Sequence, residues 1–425
     1  TMEPKLRIGA FAAAVLLSAW VQAPAAGPSH FGFDFSGAGP SAGRVPVAPG
    51  MSYSGERGFG FEPGAELVQT GCAITSDKPF YFHIALPEEG AYRVVVTFGD
   101  CASATDNTVF AELRRLMVEG VRTGPGASAA ATFIVHTRTP AIPGGGRVRI
   151  NGRERTLEPW AWDDRLSLEF NGARPGVRSI DVEKVDVPTV YLLGDSTVCD
   201  QAREPYSSWG QMLPRFLKPE VAVANGAQSG DAIAPALSAG RFAKFWAHMK
   251  PGDHLFVQYG HNDMKSSAPD ALQTYAANLG LVVDRTRGLG GIPVLVTSVS
   301  RRTFGPDGRI ADSFGGYTDA VRAVAGEKGC ALIDLQACSA RFYEALGERR
   351  SHLAFATMQE GTHHNSYGSY EIAQCVVMGI RLARLDLAGL IRDDFGGFDP
   401  SRPDPPEHFR IRRSPPAARI TPLED

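Results

Sequence analysis

Residues 190–197 read Val190-Tyr191-Leu192-Leu193-Gly194-Asp195-Ser196-Thr197. Four consecutive apolar residues stop at a glycine and a polar turn. A strand buried on both faces of a parallel sheet ends in this way. Downstream, apolar runs recur at 221–224, 255–259, 294–297 and 331–335. Helical periodicity lies between or after them, near 270–286, 316–328, 337–346 and 367–386. Strands that alternate with helices predict a parallel sheet with helices on both faces, a three-layer α/β/α arrangement. Ser196 then stands at the carboxyl end of a strand, where open α/β sheets bind ligands.

Upstream, residues 28–187 have a different character. Phe31-Gly32-Phe33-Asp34-Phe35 alternates apolar with small or polar residues. Phe80-Tyr81-Phe82-His83-Ile84 and Tyr92-Arg93-Val94-Val95-Val96-Thr97-Phe98 are strand-like, with Pro87-Glu88-Glu89-Gly90 as a turn between them. Runs at 132–135 and 166–172 continue the pattern. Short strands with frequent Gly and Pro predict a β-sandwich of jelly-roll type. The expected divisions are 1–26, 28–187, 188–393 and a Pro-rich, extended surface tail at 394–425.

The 425 residues carry a formal net charge of −3, so no basic footprint for nucleic acid is present. Lys5 and Arg7 precede an apolar run from Ile8 to Trp20, followed by Ala23-Pro24-Ala25-Ala26. This reads as a secretory signal, and an uncleaved anchor is the other reading. The protein is expected to be secreted or periplasmic, with no stable membrane insertion once the signal is cleaved. Export permits disulfides among the six cysteines. Cys72 with Cys101 and Cys330 with Cys338 are the first pairings to test. No cysteine spacing suits a metal site.

Four short segments carry chemistry. Ser196 needs a base to become a nucleophile, although Asp, Ser and Thr also cap helices well. Asn225-Gly226-Ala227-Gln228-Ser229-Gly230 follows the second strand, and a glycine there brings a backbone N–H close to a reacting carbonyl. Most such glycines only make turns. Gly260-His261-Asn262-Asp263 follows the third strand. An Asn amide there can donate to an oxyanion, or simply cap the next helix. Glu360-Gly361-Thr362-His363-His364-Asn365 precedes the last helix. A carboxylate three residues before a histidine can orient its ring, leaving the other nitrogen for the serine. His363 and His364 on one extended segment point in different directions, which argues against a shared metal.

In this order the four segments resemble the SGNH/GDSL hydrolases. Gly194-Asp195-Ser196, Gly230, Gly260-His261-Asn262-Asp263 and Glu360 to His363 match the four blocks. Gly194-Asp195-Ser196-Thr197 and Thr362-His363-x-Asn365-x-Tyr367-Gly368 resemble the rhamnogalacturonan acetylesterases among them, over roughly 188–393. The leading β region is similar to the galactose-binding-like domains attached to some bacterial members. The resemblance implies Ser196 as nucleophile, His363 as base and Glu360 as orienting acid. It implies an oxyanion hole from the N–H groups of Ser196 and Gly230 and the Asn262 side chain. It implies no metal and no organic cofactor. Two departures stand out. The family has Asp where this chain has Glu360, and Asp231 replaces a residue that is commonly basic.

The expected activity is deacetylation of an acetylated polysaccharide or oligosaccharide of the plant cell wall, of pectin or rhamnogalacturonan type. Arg203, Arg301 and Arg302 are candidates for uronate carboxylates. Trp209 is a candidate sugar platform or a core residue, as are Trp160 and Trp162. Two alternatives are an esterase or lipase for other acyl esters, and a non-catalytic carbohydrate-binding protein with a degenerate hydrolase domain.

Overall fold

The computed structural model describes residues 1, 30–37, 39, 43–416 and 422–423. Apart from Thr1, the signal expected at 1–26 lies outside the described residues. Among those described, no helix is long and apolar enough to cross a membrane.

Residues 30–184 form two packed sheets. One runs in the order Ala129–Thr137, Gly90–Phe98, Gly176–Lys184, His30–Asp34, Val45–Pro46, with two short strands at 68–69 and 74–75 alongside. The other runs Phe59–Phe61, Phe80–Ala85, Arg165–Arg174, Thr105–Ala111, Arg115–Thr123. Pairing is antiparallel except at Val45–Pro46. Alternation puts Phe33, Phe80, Phe82, Val94, Val96, Leu168 and Phe170 between the sheets. The strand-rich stretch thus folds as a β-sandwich ahead of the parallel sheet.

A five-stranded parallel sheet follows, in the order Ala222–Asn225, Thr189–Gly194, His254–Gln258, Ile292–Val296, Ala331–Ile333. Every strand is parallel to its neighbours. The helices Leu335–Leu346 and Ser366–Leu382 cover one face. Arg241–His248, Ala271–Gly288 and Tyr317–Lys328 cover the other. Thr189–Gly194 lies between the second and third strands, so the connections diverge at its carboxyl end. This reversal opens a crevice beside Ser196.

The two layers meet through apolar and charged contacts. Phe110 and Leu116 of the sandwich pack into the core of the parallel-sheet half, and Ile134 meets Ala222. The turn at 112–114 joins two sandwich strands. Glu112 and Arg114 there hold φ of 54° and 60°, an uncommon region for side-chain-bearing residues. The strained turn faces the loop after Ser196. Arg114 donates to the carbonyls of Gln201 (3.1 Å) and Tyr206 (2.8 Å) and pairs with Glu204. The Leu113 carbonyl accepts from Gln211 Nε2 at 2.6 Å. Arg115 donates to Asp200 Oδ2 at 2.8 Å, with both side chains buried.

One expectation changes. Cys72 pairs with Cys101, but Cys338 pairs with Cys375, leaving Cys330 and Cys199 free. Cys330 precedes the strand Ala331–Ile333 and Cys338 follows it, so the two lie toward opposite ends of the sheet. Cys338 and Cys375 sit on two helices packed on the same face. The described tail runs along the surface, largely exposed, and is held there at several points. Phe409 packs against Tyr367 and Tyr370, and Tyr367 donates to the Asp404 carbonyl at 2.6 Å. Further along, Tyr81 of the sandwich donates to the Pro415 carbonyl at 2.9 Å.

Replacing Asp200 strands the buried Arg115 guanidinium. Asp200→Ala is expected to lower stability by about 3–5 kcal/mol, the cost of breaking a buried ion pair on one side. The midpoint and slope of urea unfolding measure this, and a loss under about 1 kcal/mol would show that Arg115 finds another partner.

Candidate active site

Gly194 ends its strand where a side chain has no room. A Cβ would lie 2.6 Å from the Gln258 carbonyl oxygen and 2.6 Å from Val198 Cγ2. The chain then turns around the fully buried Asp195. Its Oδ1 accepts from the Thr197 amide (3.0 Å) and hydroxyl (2.9 Å), and its Oδ2 lies 3.1 Å from His261 Nδ1. Burial pushes this carboxyl up, but the His261 ring and the Thr197 donors outweigh it, so Asp195 stays below the usual carboxylate range. The turn leaves Ser196 at its tip, with its carbonyl held by Gln201 Nε2 at 2.7 Å.

Ser196 Oγ is 2.8 Å from His363 Nε2. On the other side of the ring, Glu360 Oε2 is 3.2 Å from Nδ1. The N–H does not point squarely at that oxygen, so the contact is an ion-pair approach rather than an aligned hydrogen bond. Glu360 is itself anchored by backbone. Its Oε1 accepts from Gly361 (3.0 Å), Thr362 (2.9 Å) and His363 (3.3 Å). Burial raises the Glu360 carboxyl, and the Thr362 amide and the His363 ring more than reverse this, leaving it below its ordinary value. The extra methylene is thus taken up by a tight backbone turn at 360–363. His364 points the opposite way, into the core, where the Tyr343 hydroxyl meets its Nε2 at 2.6 Å. Burial lowers that ring's pKa to about 3, so it is neutral.

The donors expected for an oxyanion come from the two neighbouring strands. Asn225 fixes the second loop by donating to the Val198 carbonyl (2.7 Å) and Asp200 Oδ1 (2.8 Å). The loop reaches Gly230, whose φ of +83° suits glycine. Asn262 Nδ2 donates to the Asp231 carbonyl at 2.8 Å, while its Oδ1 accepts from Lys265 at 2.7 Å. Those contacts set which way the amide faces and leave its second N–H available. Asp231 does not meet substrate as a bare charge. It is buried, 3.4 Å from Arg241 Nε, and Arg241 also binds Glu154 Oε2 at 2.6 Å. Burial raises the Asp231 pKa to about 6, against the pull of Arg241.

Several expected substrate contacts fall elsewhere. Trp209 is only 1% exposed and donates to Gln258 Oε1 at 2.9 Å, because it packs under the loop after Ser196. Trp160 and Trp162 are buried beside the helix Gly152–Leu157, in the small core that also holds Tyr81 and Leu113. Arg302 donates to the Met358 carbonyl (2.7 Å) and the Glu360 carbonyl (3.4 Å), so it braces the Glu360 loop. Arg301 lies over Phe314 and reaches the His261 carbonyl at 3.5 Å. Neither lines the cleft beside His363. Arg203 does, in a depression of about 430 Å³ that also exposes Tyr206, Ser229 and Arg153. Tyr206 stands edge-on to the His363 ring at 5.9 Å. Arg153 and Tyr206 were not singled out from sequence. Nothing local marks Arg153, which belongs to the segment between sandwich strands. Among the described residues, no cluster of three His, Cys, Asp or Glu side chains is arranged for a metal.

Residues 192–369 match the model of the GDSL-like lipase/acylhydrolase family. The chain is 35% identical over 212 residues to the rhamnogalacturonan acetylesterase RhgT of Bacillus subtilis strain 168, spanning 47% of this chain and 91% of that protein. It is 25% identical over 392 residues to the uncharacterized esterase YxiM of the same organism, spanning 86% of this chain and 94% of that one. The crystal structure of YxiM superposes with a TM-score of 0.48 at 22% identity, over 84% of this chain and 99% of the other. With its strand-end serine, its parallel sheet, the family-model match over 192–369 and the 35% identity with RhgT, the chain belongs to the GDSL-like lipase/acylhydrolase family.

Proposed function

We propose that this protein is an exported serine acetylesterase that removes acetyl groups from a plant cell-wall polysaccharide of pectin type. The observation that carries the chemistry is the 2.8 Å contact between Ser196 Oγ and His363 Nε2, with the Glu360 carboxylate on the ring's far side. In this reading Ser196 attacks the ester carbonyl carbon while His363 Nε2 takes its proton. Glu360 stabilises the imidazolium that forms. The N–H groups of Ser196 and Gly230 and the free N–H of Asn262 receive the charge that develops on the carbonyl oxygen. His363 then returns its proton to the sugar oxygen as the C–O bond breaks. Water, deprotonated by His363, hydrolyses the acetyl-enzyme, releases acetate and restores Ser196.

The 35% identity with RhgT supports a rhamnogalacturonan-type substrate. The basic and apolar leader with its small-residue end supports export. Asp231 stands where a basic residue is common, but Arg241 faces it inside the protein, so it does not repel an acidic glycan.

Ser196→Ala is expected to abolish acetate release from acetylated rhamnogalacturonan and turnover of p-nitrophenyl acetate. Activity that survives in the folded variant rules out the scheme. Profiling p-nitrophenyl esters of increasing acyl length should show a steep preference for acetate, whereas equal turnover of long chains would indicate a lipase.

Glu360→Gln keeps an oxygen for the Gly361 and Thr362 amides but cannot balance the imidazolium charge. Its kcat is expected to fall about 10³–10⁴-fold with KM little changed. A loss below tenfold would remove Glu360 from the catalytic set. Asn262→Ala is expected to cost about 10²–10³ in kcat, measured on the same ester.

A further inference from the structure

His363 must protonate the departing sugar oxygen, so the alcohol part of the ester lies on the His363 side of Ser196. The cleft on that side is therefore the place where the polysaccharide sits. Two guanidinium groups face it from different parts of the fold. Arg203 comes from the loop after the nucleophile, and Arg153 comes from the helix Gly152–Leu157 inserted between sandwich strands.

The cleft's acids are already engaged. Glu204 pairs with Arg114, and Glu360 holds its own backbone turn and the His363 ring. The two arginines are not used up. Arg203 is exposed, and its guanidinium makes no ion pair among the described residues. Arg153 donates from Nε to the buried Glu158 (2.7 Å), from one terminal nitrogen to Ser229 Oγ (3.0 Å) and from the other to Gln201 Oε1 (2.8 Å). A guanidinium has five N–H donors, so two remain, and its side chain is 39% exposed. Three fixed contacts hold the planar group still, so little rotamer freedom is lost when an anion binds.

We propose that Arg153, with Arg203, binds the carboxylate of a uronate residue next to the acetylated sugar. The sandwich layer thereby selects acidic over neutral acetylated glycans. This rests on the acetylesterase reading above and names the chemical class that the cleft prefers.

The test compares acetate release from acetylated rhamnogalacturonan oligosaccharides with release from neutral acetylated xylo-oligosaccharides. Wild type is expected to favour the acidic substrate. Arg153→Gln and, separately, the surface variant Arg203→Gln should each lower the acidic-to-neutral ratio of kcat/KM by about tenfold or more, mainly by raising KM for the acidic substrate. Arg153→Lys should recover part of the ratio, since it keeps the charge but loses the fork. Equal losses on both substrates would show that Arg153 only braces the Ser229 and Gln201 loops, and would overturn the proposal. A wild type without preference for the acidic glycan would overturn it too, while leaving the esterase reading intact. Release from neither glycan would instead reject the acetylesterase reading, and this inference with it.

Discussion

Asp200 sits four residues after Ser196 and is almost fully buried. Its two oxygens reach in different directions. Oδ2 accepts from Arg115 of the sandwich at 2.8 Å, and Oδ1 accepts from Asn225 at the end of the second parallel strand at 2.8 Å. One carboxylate thus joins the sandwich, the Ser196 loop and the loop that leads to Gly230. A buried charge is tolerated only when its partners are in place. The docking of sandwich on sheet and the position of the Ser196 loop are therefore parts of one constraint.

Other charges extend the same arrangement. Arg241 lies between Glu154, on the helix inserted in the sandwich, and Asp231, beside Gly230. Lys244 and His248 both meet Glu89 of the sandwich, at 2.8 Å and 2.9 Å. Such pairs add little net stability over a well-packed apolar contact, but mispairing them is costly. Their effect here is orientation. The helix Gly152–Leu157 is set at the rim of the cleft, with Arg153 pointing toward the loops of Ser196 and Ser229. In this way a layer that holds neither Ser196 nor His363 helps to shape the space beside them.

Much of the parallel half was legible in the chain. Buried strands such as Thr189–Gly194 are apolar throughout, and the long helices Ala271–Gly288, Tyr317–Lys328 and Ser366–Leu382 repeat with a clear period. The strands Thr105–Ala111, Arg115–Thr123 and Gly176–Lys184 escaped the sequence reading. They carry polar residues such as Asn107, which is fully buried because its Oδ1 accepts from the Gly176 amide at 2.8 Å. The helices Ile233–Ser238 and Arg241–His248 are too short for their period to stand out.

What the sequence determined by itself is local. A strand ending at Gly194 places Ser196 at the carboxyl end of the sheet. Three of the four segments follow successive strands and the fourth precedes the last long helix, and alternation along 363–364 sends one histidine to the serine and the other to the core. These follow from backbone periodicity, which neighbouring residues encode. Only the tertiary structure decided that Trp209 lies in the core, that Arg302 braces the Glu360 loop, that Cys338 meets Cys375 and that Asp231 faces Arg241. Only it brought Arg153 beside His363. Each of these joins residues of separate elements, and such contacts depend on how two layers dock, which no local pattern in the chain records.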